Sequence, residues 1–145
     1  MNERARHARF DDRGGVTVFV AVCVVALIGV IGVAVDGGGK MRAVERADHI
    51  AGEAARAGGQ AIDPAKAISG EAIVVEPADA MAAAQAYLRS ARATGTVSVS
   101  GDGKTLTVNV TGAYETKFLS VVGIGSMPVT GHGTATLLHG VTAPD

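Results

Sequence analysis

The chain has 145 residues, a formal net charge of −1 and 48% hydrophobic residues, yet only 3% aromatics and no Trp. Near-neutral charge with no basic stripe excludes a surface built to neutralise nucleic-acid phosphates. The single cysteine, Cys23, excludes an intrachain disulfide.

Residues 1–14 form a basic tail carrying Arg4, Arg6, Arg9 and Arg13. Gly15 to Val35 follows, 21 residues without a charge. At 1.5 Å per residue, a helix of this length covers the roughly 30 Å of a bilayer's hydrocarbon core, so residues 15–35 read as a transmembrane helix. Within reach of the span, the four Arg of the tail outnumber Lys40, Arg42 and Arg46 on the other side. The positive-inside rule therefore places the N-terminus in the cytoplasm and residues 36–145 outside it, as a single-pass membrane protein. Two other assignments compete. One is a signal peptide cut after Ala34, although such apolar regions usually run 7–15 residues. The other is the core helix of a soluble protein. Cys23 lies within the apolar run, where a lone thiol is an ordinary packing residue.

Residues 36–145 are enough for one small domain. Its aromatics are Tyr87, Tyr114 and Phe118, so its core must come from Ala, Val, Leu and Ile. Asp36-Gly37-Gly38-Gly39-Lys40 predicts a joint or melted turn, since each Gly in a helix costs about 1 kcal/mol relative to Ala. A helical segment then runs from Lys40 to Ala57 and stops at Gly58-Gly59. Ala43, Ala47, Ala51 and Ala55 recur every four residues, a small-residue stripe that lets a partner approach closely. That partner is either the next helix of this domain or a helix of another subunit.

Ala61 to Ser69 reads as an irregular connection and Ala72 to Val75 as a short strand. Glu76-Pro77 opens a further helix, with Pro at a permitted first position, continuing to about Ala93. The period then changes to two. Thr96–Ser100, a turn at Gly101-Asp102-Gly103-Lys104, and Thr105–Thr111 predict a hairpin with Val97, Val99, Leu106, Val108 and Val110 on the helix-facing side. Phe118 to Ile124 is an apolar connection, and Met127 to Leu138 a last strand with Pro128 near its start. The fold class is α+β: an N-terminal transmembrane helix continuing into an extended helix, then a second helix packed on an antiparallel sheet of about three strands.

No grouping of residues carries chemistry. The glycines before Lys40 fail as a phosphate loop, with Ala34 where the first Gly belongs and Met41 in place of Ser or Thr. His7, His49, His132 and His139 are too scattered for a metal site, and the odd separation of the last two sends them to opposite faces of one strand. Asn109-Val110-Thr111 matches a glycosylation sequon but sits in an alternating strand. The reading is a non-enzyme without cofactor, metal, nucleic-acid or small-molecule partner.

Several stretches carry a family resemblance. Arg13-Gly14 leads into the apolar run, which exits through Ala34-Val35-Asp36-Gly37-Gly38. Arg46-Ala47-Asp48 and Glu53-Ala54-Ala55-Arg56-Ala57 follow, and Thr116-Lys117-Phe118-Leu119 leads through Gly123-Ile124 to the Thr/Ala-rich last strand. Together these resemble the TadE/TadG-like proteins of the tight-adherence (Flp) pilus system, especially actinobacterial ones. The resemblance implies a pilin-like fold and a minor pilin-like or assembly protein, whose partners are the membrane and other Tad pilus or pseudopilin subunits. TadE-type members are cut after a Gly that precedes an apolar segment with Glu at its fifth position. A cut after Gly14 places Phe19 fifth, and one after Gly15 places Val20 there, so the Glu is absent and the pattern leans to the unprocessed, TadG-like type. A membrane-anchored envelope binding module unrelated to pili is the alternative function.

Overall fold

The computed structural model of the protein describes residues 12–61 and 75–137. Its first element, α1 (Asp12–Gly59), is one uninterrupted helix of 48 residues, about 72 Å long at the standard rise. The joint expected at Gly37–Gly39 is therefore corrected: the glycines lie inside a continuous helix. Their intrinsic cost is offset by contacts fixed on both sides of the triplet, since Asp36 is held by a loop of the domain and Gly39 receives the Tyr114 ring. Tertiary contacts of this kind routinely override helix propensity. The stop at Gly58-Gly59 is where the sequence places it.

The helix has two regimes. From Val16 to Val35 its large apolar side chains are exposed, and α1 is the helix long and apolar enough to cross a membrane among the described residues. From Asp36 onward one face is covered by the domain, with Ala47, Ala51, Ala54 and Ala55 buried.

A second helix, α2 (Pro77–Ser90), buries Ala80, Ala84 and Leu88. It ends three residues before the expected Ala93, because Arg92 adopts a left-handed conformation with φ 52°. There the Ala93 N–H donates to the Leu88 carbonyl at 3.0 Å and closes the helix end. The expected strand at Ala72–Val75 lies outside the described residues except for Val75, which is fully buried and not in a strand. Most of the Ala61–Ser69 connection lies outside them as well.

Three strands follow in meander order: β1 (Thr94–Val99), β2 (Thr105–Glu115) and β3 (Ser126–Thr136), antiparallel throughout. Val97 pairs with Val108, and Tyr114 with Met127. β2 runs four residues beyond the expected end at Thr111, because Gly112–Glu115 find partners in Val129–Ser126. The turn expected at Gly101–Lys104 joins β1 to β2, with Gly103 at φ 72°.

Both helices pack on the same face of the sheet, α1 across β3 and β2, α2 against β1. Leu106, Val108, Val110, Val129 and Leu137 are buried there, as period-two alternation requires. Val97 and Val99, nearer the sheet edge, pack against this core partly buried. The opposite face carries Thr96, Ser98, Thr111, Thr130 and Thr134, all exposed.

Candidate functional site

The most constrained locus is where α1 leaves its exposed apolar stretch and meets the domain. Asp36 is fully buried, directly after the last apolar residue of the run. A buried carboxylate is costly unless hydrogen-bonded, and here it is. Its Oδ1 accepts the Lys117 N–H at 2.8 Å, and its Oδ2 accepts the N–H groups of Phe118 and Leu119 at 2.9 and 2.7 Å. The Tyr114 hydroxyl completes the set at 3.4 Å. Three successive amides thus converge on one anion at the start of the 3-10 turn Leu119–Val122, an anion-binding nest filled by the protein's own side chain. Burial pushes the Asp36 pKa up; the amides and the tyrosine hydroxyl outweigh it and leave the carboxyl below its ordinary value. The same burial, with the Asp36 charge beside it, raises the pKa of Tyr114.

Two glycines make the approach possible. A Cβ at Gly39 would overlap the Tyr114 hydroxyl, and one at Gly32 would stand 2.9 Å from the Phe118 Cβ. The end of β2 and the β2–β3 connection are thereby clamped against α1 at three levels: Phe118 on Gly32, the amides of Lys117, Phe118 and Leu119 on Asp36, and Tyr114 on Gly39. Sequence reasoning missed Asp36, assigning it to a joint. The available signal was a lone acid directly after a long apolar run, a position that demands partners.

The alanine stripe is the second locus. Ala47, Ala51 and Ala55 are buried and Ala43 is half-buried. What covers Ala47 and Ala51 is β3, rather than the helix expected from their spacing: a Cβ at Gly131 would overlap the backbone of Ala47 and Asp48, and one at Gly133 that of Ala51 and Gly52. Helix and strand therefore meet backbone to backbone. The His132 N–H between those glycines donates to Asp48 at 2.9 Å, so α1 also covers the free edge of β3. α2 instead meets α1 near its end, where Gly58 faces Ala80.

Gly14 and Gly15, the positions considered for processing, lie exposed in the first turns of α1 with open space around them. Among the described residues no group of three or more His, Cys, Asp and Glu is placed to hold a metal. His49 and His132 are exposed, the latter with its Nδ1 2.6 Å from the Asn109 side chain. His7 and His139 lie outside the described residues.

This arrangement defines a class: an α+β domain whose longest core helix is continuous with a candidate membrane anchor. Residues 14–61, which are most of α1, match the family model described as Flp pilus-assembly TadE/G-like. The match covers 48 of the 145 residues and is to the family whose likeness the sequence carries. That family is a pilus-assembly structural domain and not a known enzyme class. No curated protein and no solved structure matches the chain significantly.

Proposed function

We propose that the protein is a structural component of a Tad (Flp) type pilus or related secretion assembly, a single-pass, minor pilin-like subunit. The observation that carries the reading is that the TadE/G-like match falls on α1, the element that is both candidate anchor and the helix on which the domain is built. In this reading residues 1–14 are a cytoplasmic tail, 15–35 span the membrane and 36–145 work outside it, beside other pilus subunits. The segment after Gly14 and Gly15 lacks the Glu that processed members carry, so the anchor is retained uncut.

Deletion of the gene, with imaging of surface filaments and copurification of Tad assembly proteins with a tagged copy, tests the reading. Loss of filaments together with specific recovery of assembly components is expected. Unaltered filaments and no such recovery would refute it. A reporter fused after Asp145 should be active only outside the cytoplasm, and mass spectrometry of the membrane-extracted protein should find the residues before Gly14 in place.

A further inference from the structure

Among the described residues, the exposed large apolar side chains of the domain are concentrated in one loop. Among the described residues beyond the apolar run of α1, the exposed large hydrophobic side chains are Met41 and four residues between β2 and β3: Phe118, Val121, Val122 and Ile124. Val121 is 86% exposed and Val122 71%, at the tip of the 3-10 turn. A small soluble domain does not gather its exposed large apolar residues in one place without a reason.

The position of the loop supplies one. Phe118 packs on Gly32, which lies inside the apolar run and four residues before Asp36, or about 6 Å along the helix axis. If the run up to Val35 lies in hydrocarbon, Phe118 stands below the surface of the bilayer on the domain's side. That depth is within the roughly 5–10 Å at which interfacial apolar segments settle.

The loop's backbone fits such a place. Apolar surroundings require that N–H groups be paired internally. Those of Lys117, Phe118 and Leu119 are taken by Asp36. Those of Val121, Gly123 and Ile124 are taken by carbonyls of the loop itself. The Thr116 hydroxyl donates to the Ile124 carbonyl, and the Gly125 carbonyl accepts the Thr116 N–H at 3.0 Å, closing the base of the loop. Lys117, whose N–H is one of those taken by Asp36, has its side chain exposed at that base.

We propose that the Lys117–Gly125 loop is a second membrane-contacting element, inserted in the leaflet on the domain's side with Val121 and Val122 among the lipid chains and Asp36 locking it to the anchor helix. The domain is then held to the bilayer at two points, which fixes the tilt of α1 and its rotation about its own axis in the membrane. This rests on reading α1 as the membrane anchor, independently of which side of the membrane the domain faces.

The test uses the full chain in phosphatidylcholine/phosphatidylglycerol vesicles at a low protein-to-lipid ratio. Single cysteines at Val25, Val121, Val122 or Thr134 are placed in a Cys23→Ala background and labelled with an environment-sensitive fluorophore. Labels at Val121 and Val122 should emit blue-shifted and be quenched several-fold more by acyl-chain spin-labelled lipids than the label at Thr134 on the outer sheet face. They should be correspondingly protected from aqueous iodide. Val121 and Val122 labels quenched by iodide as readily as Thr134, with Val25 deep, would overturn the proposal and leave the anchor standing. A shallow Val25 label would instead overturn the anchor reading itself. Protection at Val121 and Val122 that appears only at high protein density, with cross-linked dimers, would show that a second copy covers the loop, and would equally overturn insertion in lipid.

Discussion

Tyr114 lies on Gly39 so closely that any side chain at residue 39 would occupy the place of its hydroxyl. Gly37, half a turn earlier on the same helix, has open space where a Cβ would stand. Two glycines of one triplet therefore have opposite roles, one a required notch and the other only a weak helix residue. Gly37→Ala should stabilise the protein by about 0.5–1 kcal/mol through helix propensity. Gly39→Ala should destabilise it by about 1–3 kcal/mol through overpacking, because the ring must swing away from Asp36. Thermal unfolding of the two variants in detergent micelles measures this. If the triplet were a joint, both substitutions would change the melting temperature in the same direction.

Asp36 makes the clamp sensitive to acid. Its folded-state pKa is depressed, so its contribution to stability is fully present above the ordinary Asp value of about 4 and is lost as pH falls through the lower folded value. Hydrogen exchange at the amides of Lys117, Phe118 and Leu119 should be slow at neutral pH. It should also lose protection in Asp36→Asn relative to the parent chain at that pH. The Asn variant removes the anion and should flatten the acid limb of the stability curve. An acid limb of unchanged steepness in Asp36→Asn would assign the sensitivity to another carboxylate.

The period-two hairpin and the helix opening at Pro77 were legible because each is written in local pattern: alternating Val and Thr around a Gly-Asp-Gly turn, and a proline at a permitted first position. The fate of Gly37–Gly39 was not, because local propensity argues for a break there. What opposes it comes from Tyr114 and Lys117–Leu119, some 80 residues away in sequence. Ala47, Ala51 and Ala55 are buried at their four-residue spacing, but that spacing does not name the partner. The answer lay in Gly131 and Gly133, whose alternation in β3 presents bare backbone to the helix. Asp36 itself was visible only as a charge after an apolar run, and its role depends entirely on the loop that reaches it.

The contact of β3 with α1 predicts a sharp contrast among strand glycines. Gly131→Ala or Gly133→Ala would drive a methyl group into the backbone of Ala47–Gly52, which has no side chain to move aside. Each should cost about 1–3 kcal/mol or more. Gly112→Ala, on β2 with open space at its Cβ, should leave stability unchanged or slightly raised, since Gly weakens a strand interior. Chemical denaturation of the three variants distinguishes them, and similar midpoints for all three would mean that helix and strand are further apart than their glycines allow.

The two ends of the alanine stripe should respond differently to bulk. Ala51 is fully buried beneath Gly133, whereas Ala43 is half-buried at the rim of a shallow groove shared with Ile50, Val110 and Val129. Ala51→Leu has to separate α1 from β3. An overpacking cost of about 1–3 kcal/mol, at about 4–8 °C per kcal/mol for a domain of this size, gives a clearly lowered melting temperature. Ala43→Leu can direct its side chain along the groove and should melt close to the parent chain. If the groove also receives a neighbouring subunit, Ala43→Leu should still lower recovery of pilus components in copurification while leaving the melting temperature intact. A normal melting temperature for Ala51→Leu would instead show that residue 51 faces outward and that the helix is rotated about its axis from the arrangement described.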